Sequence, residues 1–187
     1  LYVAGKHGIL DLKKHFENLK SSIDYEKILA RNIESRVDLT SLETFTIDPV
    51  DAKDFDDAIS ITKTNGCIDL YVHIADVSAF VEHEDETDLV ARKLGNSYYF
   101  DEETLHMLPD ELSTNFLSLK PGVKRLAFSV KIAMDEDFNI KEYKFFESVI
   151  SSDKRFTYQD AEDLLDAKAK NVFNKSLYLL LELTKTL

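Results

Sequence analysis

TIDPVDAKDFDDA, residues 46–58, is the stretch on which the reading of this 187-residue chain turns. It places Asp48, Asp51, Asp54, Asp56 and Asp57 within ten positions, between the β-prone segments ETFTI (residues 43–47) and AISIT (58–62). Like charges this close repel and raise one another's pKa. A bound cation removes that penalty, and ligands made only of oxygen suit hard ions such as Mg²⁺ or Mn²⁺. Asp48 leaves the end of a strand, and Asp54, Asp56 and Asp57 follow after a short loop. If that loop is extended, Asp54 and Asp56 share a face and Asp57 points away from Asp56. Taken alone, the cluster fits a solvated acidic loop as well. A calcium-binding helix–loop–helix fits badly: counted from Asp54, the fifth position is Ala58 and the sixth, which needs Gly, is Ile59.

Downstream, AISITKT and CIDLYVHI flank Asn65-Gly66, a dipeptide suited to a two-residue hairpin turn. Alternation puts Ile68, Leu70, Val72 and Ile74 on one face and Asp69, Tyr71 and His73 on the other. His73 reads as a hydrogen-bonded strand residue, and no other histidine has metal-pair spacing. Asp76 reads as a turn or cap residue rather than a ligand. Residues 84–94 suggest a short helix with Leu89, Val90 and Leu94 inward, followed by a strand at SYYF and a short helix over 109–116. RLAFSVKIAM and IKEYKFFESVI form a second hairpin, with Leu126, Phe128, Val130 and Ile132 sharing a face. Thr157 and Asp160 form a short capping box for a helix over 158–168.

At the amino end, Ile9, Leu12, Phe16 and Leu19, then Ile28, Leu29, Ile33 and Val37, recur at helical spacing, with Ser22 or Asp24 as cap of the second run. Residues 1–40 therefore read as a helical lead-in and 41–187 as the start of a larger domain. The last run, capped by Asn171, carries two apolar stripes, Phe173, Leu177, Leu180, Leu181 and Thr184, and Val172, Leu179, Leu183 and Leu187. A helix apolar on two sides requires partners. With no initiator Met and no cap after that helix, the chain reads as a piece of something longer.

Composition is that of a globular protein, 44% hydrophobic and 31% charged. One cysteine, Cys67, excludes an intramolecular disulfide framework. No apolar run approaches the roughly 20 residues that span a bilayer, and there is no signal-peptide pattern, so no membrane partner and a cytoplasmic location are expected. The formal net charge of −12 is the wrong sign for a free-standing nucleic-acid binder.

TIDPVDAKDFDDA, HIADVSAFV (73–81), GNSYYF (95–100) and MLPDELSTNFLSLKPGVKRLAFSV (107–130) occur in one order. Together they resemble the opening of the RNB catalytic domain of the ribonuclease II and ribonuclease R family, and most the ribonuclease R branch, over residues 42–158. The resemblance implies an α+β fold, a curved, mainly antiparallel sheet with helices around it, of which part is present. It also implies a Mg²⁺-dependent enzyme, with Mn²⁺ as the alternative ion, that hydrolyses single-stranded RNA from the 3′ end and releases nucleoside 5′-monophosphates. Asp48, Asp54, Asp56 and Asp57 fall on the family's four acidic catalytic and metal-binding positions. Asp48 and Asp57 are expected as direct ligands and Asp56 at the position most critical to cleavage; Asp51 falls at a variable position.

By the same resemblance Tyr99 stacks on 3′-terminal bases and Tyr158 lies near the RNA path; Arg125 and Lys53 are candidate phosphate contacts, although an isolated basic residue is usually only surface. The chain departs from the family at Pro49, Asp101, Leu117, Lys124, Ser151 and Asp153, none of them in the acidic set. The family's second stacking aromatic, and an Arg and a Glu near the scissile phosphate, fall beyond Leu187. With those missing and the charge at −12, little or no activity is expected of this chain alone. The alternative reading is a non-catalytic structural or interaction fragment that self-associates through its terminal apolar helix.

Overall fold

A computed structural model describes residues 23–100, 104–166 and 172–186. The first amphipathic run, Ser22, Asp101, Asn171 and Leu187 lie outside the described residues. In chain order the elements are α1 (Tyr25–Ile33), β1 (Val37–Asp38), β2 (Phe45–Asp48), β3 (Asp57–Thr64) and β4 (Cys67–Ala75). Next come α2 (Glu86–Leu94), β5 (Tyr98–Tyr99), β6 (Thr104–Leu105) and a π-helical turn, Leu112–Phe116. The chain then forms β7 (Lys124–Met134), β8 (Ile140–Ser151), β9 (Lys154–Thr157), α3 (Tyr158–Asp166) and α4 (Asn174–Thr184). One seven-stranded sheet runs β1-β8-β7-β4-β3-β2-β9, and β5 and β6 make a separate ribbon. The sheet is antiparallel except at its margins, where β1 pairs with β8 and β2 with β9 in parallel. This is the expected α+β fold.

Local signals built most of it. Asn65 and Gly66 both take positive φ, 51° and 81°, so Thr64 closes on Cys67 in a mirror-image turn whose twist matches the strands. Thr157 Oγ1 accepts from the Asp160 amide at 3.0 Å while Asp160 returns an acceptor to the Thr157 amide at 2.9 Å, a reciprocal cap that starts α3. Asp24 caps α1 by accepting from the Lys27 amide.

Two expectations on burial are corrected. Leu89 of α2 is 47% exposed, and Val90, Ala91 and Leu94 face the core instead, because the buried stripe of α2 is rotated toward Ala91. The shared face of β7 opens to solvent at Phe128, which is exposed and stacks on exposed Phe145 of β8, centroids 6.2 Å apart, before the face closes again over Ile132. Alternation says which side chains share a face, not what covers it.

The lead-in is joined to the rest. Tyr25 of α1 packs on Phe80 and Phe116, within a core that includes Leu119, Leu126, Val149 and Ile150, and β1 extends the sheet beside β8. A second cluster, Phe45, Phe156 and Leu177, seats α4 against the β2 and β9 edge, and a third joins Leu183 to Ile61, Ile68 and Met134.

His73 lies in a buried polar ladder that crosses five chain segments. Thr44 meets Ser60 at 2.7 Å, Ser60 meets His73 Nε2 at 3.1 Å, His73 Nδ1 meets Ser129 at 2.7 Å, and Ser129 meets Ser148 at 2.6 Å. Burial pushes the imidazole down to about 4 from its ordinary 6.5. Between those values the unfolded chain carries a proton at this site that the folded chain refuses. Stability from His73 is therefore complete above pH 6.5 and is lost as pH falls toward 4, by about 3 kcal/mol in all. Urea unfolding from pH 7 to 4.5 should show wild type losing stability relative to His73→Gln; parallel pH curves would contradict it.

Candidate active site

The acidic loop is strung between two neighbouring strands. Asp48 ends β2 and Asp57 begins β3, so the antiparallel pairing that sets Phe45 against Ile59 also brings the two ends of the loop together. Backbone bonds then fix its course. The buried Ser118 hydroxyl donates to Lys53 O at 2.9 Å and accepts from the Phe55 amide at 3.1 Å, so it brackets Asp54. Leu119 N donates to Phe55 O, and Ala75 N to Asp56 O, each at 2.9 Å. From the far side, Arg155 of β9 donates through Nη2 to Pro49 O, and its guanidinium lies 5.6 Å from the Phe55 ring centroid.

Asp48, Asp54 and Asp56 line a cleft of about 930 Å³, with Tyr99, Phe100 and His106 among its other walls. Asp48 is buried, and its Oδ2 has no hydrogen-bond partner. Burial raises its carboxyl first and Asp57 adds to the rise, while the Thr46 hydroxyl and then Arg155 pull the other way. Asp56 is raised by desolvation in the cleft, then by Asp54, Asp57 and Asp48, against which His106 acts. Asp57 does not line the cleft, yet it lies close enough to raise both neighbours.

An orphaned buried carboxylate oxygen, mutual repulsion and an all-oxygen donor set suit a hard divalent cation. The residues that could hold one are Asp48, Asp54, Asp56 and Asp57. Among the described residues, no three His, Cys, Asp or Glu side chains are gathered into a ready-made metal geometry. Asp54 Oδ2 is instead taken by the Tyr99 hydroxyl at 2.9 Å.

The other expected residues divide. Tyr99 and Lys53 line the cleft, and Tyr99 is 66% exposed, so its ring is open to a partner. Tyr158, exposed at the start of α3, lies outside the lining, although its neighbour Thr157 pairs with Asp48. Arg125, expected as a phosphate contact, does not line the cleft. It is buried, and its guanidinium donates to Ser118 O, Lys124 O and Asn115 Oδ1, tying the π-helical turn to β7. Asp76 is the turn and cap residue expected: it is the N-cap of the 3₁₀ turn Val77–Ala79, and it is also buried and ion-paired with Arg36 at 2.6 Å.

Sequence reading passed over Ser118, Arg155 as a loop clamp, and His106, whose Nδ1 stands 3.9 Å from Asp54 Oδ2. No spacing links these residues to the loop; only strand pairing does. Arg155→Ala should lower unfolding stability by about 2 kcal/mol, the usual worth of a hydrogen bond from a charged group. Arg155→Lys should recover less than half of it, since a lysine lacks the planar fork that reaches Pro49 O while lying over Phe55. Full recovery by Lys in urea unfolding would contradict the clamp.

Residues 36–187 match the RNB domain. The chain is 48% identical over 141 residues to Ribonuclease R of Aquifex aeolicus (strain VF5), covering 75% of this chain and 20% of that protein. It is 40% identical over 167 residues to Ribonuclease R of Chlamydia pneumoniae, covering 89% and 25%. Among solved structures, Mycoplasma genitalium RNase R in complex with double-stranded RNA superposes with a TM-score of 0.76 at 30% identity, over 88% of this chain and 29% of that one. The chain belongs to the RNB domain family, and it spans about a fifth to a quarter of the length of those curated relatives.

Proposed function

We propose that this chain is the acid-bearing part of a Mg²⁺-dependent exoribonuclease that hydrolyses single-stranded RNA from its 3′ end and releases nucleoside 5′-monophosphates. The observation that carries this reading is that an RNB-family chain gathers Asp48, Asp54 and Asp56, with Tyr99, around one cleft. Asp48, Asp54, Asp56 and Asp57 would hold the ion, or Mn²⁺ in its place. When bound, it would supply charge neutralisation at the scissile phosphate and an activated water. The exposed Tyr99 ring offers the terminal base a stacking face worth about 1–3 kcal/mol, tolerant of sequence. Lys53 offers the cleft a cation for a phosphate. Tyr158 stands further along the RNA path. The clamp by Ser118 and Arg155 keeps the carboxylates in place while successive nucleotides arrive. A cytoplasmic location belongs to the same proposal, and no helix among the described residues is long and apolar enough to cross a membrane.

A rival reading, an interaction fragment that self-associates, draws on the exposed Phe128, Tyr143 and Phe145 of the sheet. RNA hydrolysis separates the two. Labelled single-stranded RNA and Mg²⁺ are incubated with this chain and, separately, with a polypeptide continuing through the remainder of the relatives' RNB domain. The longer polypeptide should release mononucleotides. The 187-residue chain should release almost none, because its net charge of −12 opposes RNA and it spans only part of its relatives. A longer polypeptide that releases none, with all four Asp intact, would overturn the proposal.

A further inference from the structure

The β5–β6 ribbon delivers two side chains to one oxygen of the acidic loop. Tyr99, on β5, donates its hydroxyl to Asp54 Oδ2 at 2.9 Å. His106, just past β6, sets Nδ1 3.9 Å from that same oxygen. The pairing of Tyr98 with Leu105 and of Tyr99 with Thr104 fixes the spacing of the two within the ribbon. The Asp54 and His106 side chains are 15% and 9% exposed, whereas Tyr99 as a residue is 66% exposed. Tyr99 therefore reaches Asp54 with its hydroxyl and leaves ring surface to solvent.

The backbone at Asp54 is already fixed by the Ser118 bracket on either side of it. What remains free is the carboxylate's own rotation. Facing Asp56, an unheld carboxylate would turn toward water and away from its like-charged neighbour. Held at Oδ2, it cannot, and its other oxygen stays available. Partners of this kind orient the groups that ligate a metal and commonly change its affinity by roughly 10–100-fold.

We propose that Tyr99, by its hydrogen bond, and His106, by packing beside the same oxygen, are positioning residues for Asp54, keeping its carboxylate in the orientation that receives a divalent cation with Asp48 and Asp56. This rests on the reading of the loop as a cation site. It adds that one side chain, Tyr99, serves both the RNA end and the acidic set: its ring meets a base while its hydroxyl holds a carboxylate. Neither the hydroxyl's part nor His106 belongs to the roles expected of the sequence, where Tyr99 entered as a stacking ring alone.

The test is calorimetric titration of Mn²⁺ into this chain and into its Tyr99→Phe and His106→Gln variants, each with a thermal melt. Both variants should bind Mn²⁺ roughly tenfold more weakly at an unchanged melting midpoint. In the longer polypeptide, Tyr99→Phe should leave the smallest undigested RNA at its wild-type size, because the ring remains, whereas Tyr99→Ala should change it. Wild-type Mn²⁺ affinity in both variants would overturn this inference alone. Weaker binding that only tracks a lowered melting midpoint would also overturn it, showing a structural role. A wild-type chain that binds no Mn²⁺ would overturn the cation site itself, and this inference with it.

Discussion

Replacing Asp56 with Asn is expected to cut RNA turnover by roughly a thousandfold or more, the equivalent of about 4 kcal/mol of charge stabilisation. RNA affinity at fixed salt should change little. Asp56 lines the cleft and is coupled to Asp54, Asp57 and Asp48, all of which raise it. Asn keeps its shape and removes its charge. Binding energy for a polyanion comes mostly from cations, and Asp56 supplies none. Mononucleotide release and RNA binding, measured on the longer polypeptide in one buffer, separate the two quantities. Cleavage near the wild-type rate would remove Asp56 from the chemistry.

The largest effect on stability is expected at Asp76→Ala, a loss of about 3–5 kcal/mol. Asp76 and Arg36 are paired at 2.6 Å with side chains only 5% and 3% exposed, and Asp76 also accepts from the Ser78 hydroxyl at 2.6 Å. Removing the carboxylate leaves a buried guanidinium whose remaining acidic neighbour, Glu147, is 3.9 Å away and solvated. Paired replacement, Arg36→Met with Asp76→Leu, should recover most of the loss, because no charge is then stranded. Urea unfolding measures both. A loss below about 1 kcal/mol for Asp76→Ala, the range of an exposed pair, would show that the pair is solvated.

What was legible in the sequence was what the chain decides locally. The Asn65-Gly66 turn and the Thr157–Asp160 cap each lie within a few residues and formed as read. The acidic loop was legible because its residues are close in sequence and flanked by strands. What was not legible depends on which distant segments become neighbours. The parallel pairing of Thr46 with Arg155 turns an ordinary basic residue into a clamp on Pro49 and Phe55. The β5–β6 ribbon turns a histidine without metal spacing into a neighbour of Asp54. Burial misleads in the same way: Arg125 looks like a free cation until Asn115 of the π-helical turn, Ser118 after it and Lys124 on its own strand supply acceptors around it. Leu89 looks like core until its helix is rotated.

The carboxylates of the acidic loop are expected to carry RNA hydrolysis from the 3′ end. The most direct test uses the longer polypeptide, Mg²⁺ and single-stranded RNA labelled at the 5′ end. Products from wild type are compared with those from the Asp48→Asn, Asp56→Asn double variant. Wild type should give 5′-mononucleotides and a progressively shortened labelled strand, and the double variant neither. Equal mononucleotide release by both proteins, or internal cuts in place of stepwise shortening, would contradict it.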